Sequence, residues 1–403
     1  MNQNHSFNRL IGAILMIAGC CIGAGMLGIP LVTLSAGVIP AVAAFVISWL
    51  FMASTGRRLR AVNRWFGPDV NFMTLTEGTL GKKAKWLVAF LFLFLFYCLM
   101  MAFLSAGGAL VAELSSSIIG TSISSSWGNG ILAVVFGSVI FMGSRHVDLV
   151  NRVMMLGLAI CYITLVSLGF SHVEQRNLES THWLAVFPAF PAMAISFGYH
   201  NLVPSLTEYL KGHVRYLKIA IVVGSALPLA IYLLWDGLIL GILPQTEEIA
   251  LAVQSGDMVT TLLRRTIGSS YVADIVEYFA FFALVTTFIT VGLSFVDFLA
   301  DGLKIKKTPV GSLWLVLMVL LPPLFFSYYH PNLFLMALNY AGAFGTVILF
   351  GIIPVMMVWK GRYYEKKIGP RLLPGGKISL VLIFAFAAFV FAMQLWSEVL
   401  GAL

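Results

Sequence analysis

Long apolar runs, each close to the length of a bilayer crossing, alternate along this chain with short polar segments. A helix needs about 20 mostly apolar residues to span the hydrocarbon core. Against that length, eleven runs qualify: residues 9–33, 37–56, 86–112, 130–144, 149–170, 184–207, 218–242, 272–301, 310–327, 332–359 and 378–400. A transmembrane barrel would instead show short strands of alternating hydrophobicity. The pattern therefore predicts an all-α membrane protein with eleven transmembrane helices. The loop at 244–269, with Glu247, Glu248 and Asp257, predicts a short helix outside the membrane.

Composition agrees. Of 403 residues, 60% are hydrophobic and 10% charged, too little polar surface for a soluble domain of this length. Lysine and arginine then set the orientation. With the N-terminus in the cytoplasm, the inner segments carry 22 basic residues and the outer ones only Arg176, Arg264 and Arg265. The expected topology is N-terminus cytoplasmic, C-terminus external. Basic residues at span ends also account for the formal charge of +8 through contact with anionic lipid, with no nucleic-acid partner. Cys20, Cys21, Cys98 and Cys161 all fall within spans and read as packing residues. The first apolar run leads straight into a second, so it reads as a span rather than a leader peptide.

Two spans are interrupted. The first carries Gly19, Gly23, Gly25 and Gly28 ahead of Pro30, and the sixth carries Ser196-Phe197-Gly198-Tyr199-His200-Asn201 ahead of Pro204. Glycine eases departure from helical geometry, and proline removes a backbone donor. Freed backbone groups in a bilayer are costly unless they line a cavity or bind a ligand. Single glycines in membrane helices are usually packing contacts. A cluster in each of spans one and six is different, because these are equivalent positions in two five-span halves. That pairing marks an inverted-repeat transporter with discontinuous helices 1 and 6. The expected organisation is a single domain over 1–403, with repeat one at about 9–170, repeat two at about 184–359 and an added helix at about 378–400.

These motifs resemble those of the aromatic amino-acid permeases, the bacterial tyrosine and tryptophan transporters of the amino acid/polyamine/organocation superfamily. The likeness lies in Gly23-Ala24-Gly25-Met26-Leu27 with Pro30, and in Ser196-Phe197-Gly198-Tyr199-His200 with Pro204-Ser205-Leu206. Asp148 with Asn151-Arg152 fits as well, as does Phe298-Leu299-Ala300-Asp301-Gly302. It covers essentially the whole chain, and the sixth-span motif is its most specific part. Two positions depart from the family: Asn201 stands where glycine is common, and Arg60-Ala61 where an acidic residue is usual. The resemblance implies a LeuT-type 5+5 fold, a bacterial inner-membrane location, and import of tyrosine or tryptophan by proton symport. Sodium coupling, or a non-aromatic amino acid, is the alternative within the same fold.

An amino acid is a zwitterion and needs partners for both charges. The helix N-terminus after the first break would offer the N–H groups of Ala24, Gly25 and Met26 to its carboxylate. Carbonyls near Cys21, Ile22 and Gly23, and at Ser196 and Phe197, would accept from the ammonium. Gly198 would let the ligand approach the backbone. The fold implied by the resemblance puts spans three, six, eight and ten around the substrate side chain. Tyr97 would then reach the carboxylate, Phe197 or Tyr199 would stack on the ring, and Asn339 with Tyr340 would line or gate the pocket. The same resemblance puts a sodium site between the first break and a hydroxyl pair, here Thr286 and Thr287, with Cys21 as a further ion candidate. Threonine also satisfies its own helix carbonyls, a structural reading of that pair.

Ionisable residues in spans are functional candidates by default. His200 could bind substrate, relay a proton or tie the broken helix to a neighbour. Asp236 reads first as a structural partner. Glu113, Glu277, Asp297 and Asp301, near span ends, are expected to be wet. No H-x-x-x-H or C-x-x-C motif is present, so a membrane-embedded enzyme, a metal site and a cofactor are not expected. Midplane breaks favour a closed site over a channel.

Overall fold

The computed structural model describes residues 3–23, 25–67, 70–119, 123–211, 213–255, 257–268, 270–330, 333–367 and 376–401. Among these residues the regular secondary structure is entirely helical. Eight helices are long and apolar enough to cross a membrane, and the bent pair Gln3–Cys21 and Gly25–Thr33 adds a ninth crossing. The other two expected spans are the 17-residue helix Ser125–Phe141 and the interrupted segment Trp183–Ser196 with Leu202–Tyr209. Spans one to eleven below follow this order.

Helices run further than the apolar pattern. Span two covers Val38–Phe66 and span three Lys82–Ile119, because polar helix formers continue the turns beyond the hydrocarbon. Span four ends at Phe141, before the expected 144, and span five already begins at Ser144. Gly143 makes that sharp corner at φ 90°, a conformation open to glycine. An unanticipated helix, Phe72–Leu80, is capped by Asn71, whose side chain accepts from the Thr74 N–H at 2.8 Å. The outer loop holds two short helices, Glu247–Gln254 and Val259–Ile267. Lys211, Lys304 and Lys366 follow the ends of spans six, eight and ten in left-handed conformation. Successive crossings put all three on the face that carries the N-terminus, their charges suited to helix C-termini.

Span one is bent by 54° at its break. Its N-terminal half lies along span seven (Val214–Ile242), and its C-terminal half contacts both span seven and the first half of span six. Spans five and eight (Ser270–Leu303) pack together, as do spans three and four. Span ten widens into a π-helix over Ala341–Ile352. This stretch packs against Phe190–Ser196 so closely that a Cβ on Gly342 would run into the Pro191 carbonyl. Small residues at such crossings let membrane helices approach.

Glu277 departs from expectation. It is buried, 3% exposed, and paired with Arg264 at 2.6 Å, which ties helix Val259–Ile267 to span eight. Its position near a helix end does not expose it, because the outer-loop helix lies over it.

Candidate functional site

The two breaks meet. Cys20 Sγ lies 3.5 Å from the Gly198 carbonyl, and a Cβ on Gly25 would run into Ser196 Oγ. Beside them is a cavity of about 480 Å³, within the usual range of small-molecule sites, about 300–1,000 Å³. Gly19 to Gly23 and Gly25 form one wall, and Ser196, Gly198 and Asn201 another. Thr286, Thr287 and Thr290 of span eight form a third. Phe92, Leu95, Phe96, Leu99 and Phe103 of span three close it with Phe350 of span ten, giving an aromatic lining. Those span-three positions recur every three or four residues and so share one helix face.

The cavity leads one way. Gly19, Cys20, Asn201 and Ser294 are exposed, and the lining continues to Leu15 and to Asn151 near the start of span five, all toward the face of the N-terminus. The opposite side is sealed by the start of span ten (Phe334–Tyr340), with Leu338 and Phe334 against Gly28. Past that seal lies a second cavity of about 230 Å³, bounded by Leu31, Ala106, Val253, Met258 and Leu335. This geometry gives an accessibility order. A maleimide is expected to label Cys20, exposed in the cavity, well before the buried Cys21 and Cys98, and excess ligand should slow it. Mass spectrometry of labelled peptides checks this; faster labelling of Cys98 would contradict the cavity's shape.

Of the residues singled out by sequence, Cys21, Ile22, Gly23, Gly25, Ser196, Gly198, Thr286 and Thr287 line this cavity. Ala24 lies outside the described residues. Met26 is buried, its N–H donating to the Gly23 carbonyl at 3.0 Å rather than facing the cavity. Tyr97 falls off the cavity face of span three. Its hydroxyl donates to the Met318 carbonyl of span nine (Pro309–Tyr329) at 3.0 Å, and its ring packs on Phe295. Phe197 and Tyr199 are fully buried behind the break: Phe197 sits edge-on to Tyr232, and the Tyr199 hydroxyl donates to the Met52 carbonyl. Neither ring borders the cavity, because the turn at 197–201 points them into the bundle. His200 is also buried, its Nε2 2.8 Å from Thr55 Oγ1 of span two and its ring flat on Phe350. Among its expected roles, tying the broken helix to a neighbour is the one this geometry realises. Asn339 and Tyr340 lie on span ten outside the cavity lining.

Thr286 and Thr287 both donate to the Ala283 carbonyl, at 2.9 and 2.8 Å, the self-satisfying arrangement of membrane threonines. Thr287 stands directly against Gly23.

Span seven supplies contacts that sequence reasoning passed over. Tyr232 donates to the Cys21 carbonyl at 2.6 Å, and Trp235 Nε1 to the Met26 carbonyl at 2.7 Å. Thr33 Oγ1 donates to Asp236 Oδ1 at 2.8 Å. Residues three and four apart share a helix face, so one stripe of span seven grips span one on both sides of its break. The signal was the Y-x-x-W-D spacing inside an apolar run.

The whole chain has relatives. The tyrosine-specific transport system 1 of Haemophilus influenzae is 30% identical over 95% of this chain and 96% of its own length. The tryptophan-specific transport protein of the same organism is 28% identical over 93% of each chain. Among solved structures, the crystal structure of MhsT in complex with L-phenylalanine matches with a TM-score of 0.65 at 12% identity, covering 96% of this chain and 98% of that one. That likeness shows the fold, the LeuT-type arrangement that paired breaks in spans one and six imply. The model of the tryptophan/tyrosine permease family matches residues 6–394. With both broken helices meeting at one aromatic-lined cavity and the match running almost end to end, the chain belongs to the tryptophan/tyrosine permease family.

Proposed function

We propose that this protein imports an aromatic amino acid, tyrosine or tryptophan, across a bacterial inner membrane by proton symport and alternating access. The observation that carries the proposal is the aromatic-lined cavity at the junction of two helix breaks. Phe92, Phe96, Phe103 and Phe350 are suited to a planar ring, which aromatic side chains meet edge-on or offset. Gly25 and the backbone of the first break are suited to the zwitterion, with Ser196 and the carbonyls near Cys21 and Ile22 beside it. The distribution of lysine and arginine makes the N-terminal face cytoplasmic. The cavity then opens inward and the span-ten seal closes the outside, with residues 9–170 and 184–359 as the two repeats. No step calls for covalent chemistry.

One observation favours sodium as the coupling ion: Thr287 stands against Gly23, as a cation site between spans one and eight would need. Uptake of radiolabelled tyrosine into proteoliposomes, under an imposed proton or sodium gradient, distinguishes the two. Proton-driven uptake blocked by tryptophan but not by leucine is expected. Sodium dependence would turn Thr286 and Thr287 into ion ligands, and competition by leucine would overturn the aromatic assignment.

A further inference from the structure

Only two carboxylic side chains among the described residues are buried, Asp236 and Glu277. Glu277 has Arg264 beside it. Asp236 has no basic partner, although it is 3% exposed within a membrane span. It lies six residues, about 9 Å, short of the end of span seven at Ile242. That places it on the sealed side of the break.

The charged and titratable groups on the packed elements are directed elsewhere. On span two, Arg57, Arg58, Arg60 and Arg64 sit at the far end, Arg60 on the Val214 carbonyl where span seven begins. On span five, Arg152 pairs with Asp148, and the Tyr162 hydroxyl donates to the Ile231 carbonyl. Arg176 pairs with Glu174, Arg265 with Asp257 and Arg264 with Glu277. Asp274 and His172 lie near helix ends, and Glu208, Tyr209, Cys20, Cys21 and His200 belong to spans one and six on the cavity side. None is bonded to Asp236 among the described residues. Its one bond there is from Thr33, the last residue of the C-terminal half of span one.

That bond can be made in either protonation state. Thr33 Oγ1 is 2.8 Å from Asp236 Oδ1 and 3.0 Å from the Ile29 carbonyl. With the carboxylate ionised, the threonine O–H points to Asp236. With it protonated, the threonine O–H turns to Ile29 and its oxygen accepts from the carboxyl. The Ile29 bond is the one a helical threonine makes to its own backbone, so the hydroxyl has a partner ready when the carboxyl takes up a proton. An uncompensated charge in hydrocarbon is expensive, and a bound proton removes that cost.

We propose that Asp236 carries the coupling proton, an inference that rests on the proton-symport reading above. When the outer face opens, the C-terminal half of span one leaves span seven and Asp236 meets water. It gains an O–H bond as one breaks on a hydronium ion. Closure buries the neutral carboxyl against Thr33. Tyr232 lies one turn, about 6 Å, toward the cavity, its hydroxyl on Cys21 in the cavity wall. With the cavity open inward Asp236 is still buried and off the lining. The proton therefore leaves in a further conformation that lets water reach the carboxyl from the Tyr232 side, as the Asp236 O–H bond breaks and water gains the proton.

The test compares gradient-driven accumulation with substrate exchange in proteoliposomes lacking a gradient. Asp236→Asn is expected to lose accumulation and substrate-induced proton uptake while exchange persists. Asp236→Glu should restore accumulation with a displaced pH profile. Accumulation by Asp236→Asn at the wild-type level, or equal loss of exchange and accumulation, would overturn the proposal. If that variant does not insert, the wild-type protein answers through dicyclohexylcarbodiimide, which modifies protonated carboxyls in apolar surroundings. Labelling at Asp236 that slows as pH rises supports the proposal, and labelling that spares Asp236 overturns it. Wild-type accumulation indifferent to a proton gradient would instead remove the proton-symport reading itself, and this inference with it.

Discussion

Gly25→Val abolishes uptake while leaving the protein folded in the membrane. A Cβ at this position would collide with Ser196 Oγ and lie 3.2 Å from the Tyr232 hydroxyl, before either valine methyl is added. Both neighbours are side-chain tips at the meeting of the two breaks, so local rearrangement can absorb the change without disturbing helix packing. What it takes away is the space proposed for the substrate carboxylate. Membrane level and elution profile in detergent should match wild type, while uptake falls to background and equilibrium binding of labelled substrate disappears. Retained transport would remove the first break from the substrate site.

Gly342→Ala fails differently. Its new methyl would meet the carbonyl oxygen and carbon of Pro191, backbone atoms that cannot rotate away. Overpacking a tight core typically costs about 1–3 kcal/mol, and an obstacle made of backbone favours the upper end. The expected result is a clear drop in melting temperature and yield in detergent. Gly130→Ala is the matched control, since nothing lies within 4 Å of its would-be Cβ. Equal melting temperatures for the two variants would show that spans six and ten are not in tight contact at Gly342.

Much of the fold was readable because bilayer physics imposes length. Nine of the eleven apolar runs are helices, one of them bent, long and apolar enough to cross; the other two are a 17-residue helix and an interrupted segment. The errors in bounds sat at ends such as Gly143, where the corner depends on one residue's φ rather than on hydrophobicity. The breaks were readable too, since glycine clusters and Pro204 leave few alternatives inside a membrane. The lining of the cavity was not. In a run such as Leu91–Phe96 every residue is apolar, so periodicity cannot separate the face toward the ligand from the face toward a neighbour. Phe92 and Phe96 are in the cavity wall while Tyr97, one residue on, turns to span nine. Phe197 and Tyr199 looked like ring-stacking residues because they flank the break. In an unwound turn the direction of each side chain follows local dihedrals that residue type does not announce. Asp236 was underrated for a related reason: its isolation from any basic partner appears only once Arg264 and Arg265 are seen to be engaged elsewhere.

The grip of span seven on span one has an evolutionary corollary. Tyr232 and Trp235 fasten to the carbonyls of Cys21 and Met26, atoms that every amino acid possesses. Side chains at Cys20 and Ile22, which line the cavity, can therefore be exchanged with the fastening intact, whereas Gly23, Gly25 and Gly28 are held to glycine by close neighbours. Tyr232 and Trp235 have no such latitude, because few side chains can reach across from span seven with a donor at the tip. Drift should accumulate at those two positions of the gripped helix and stall on the one that grips.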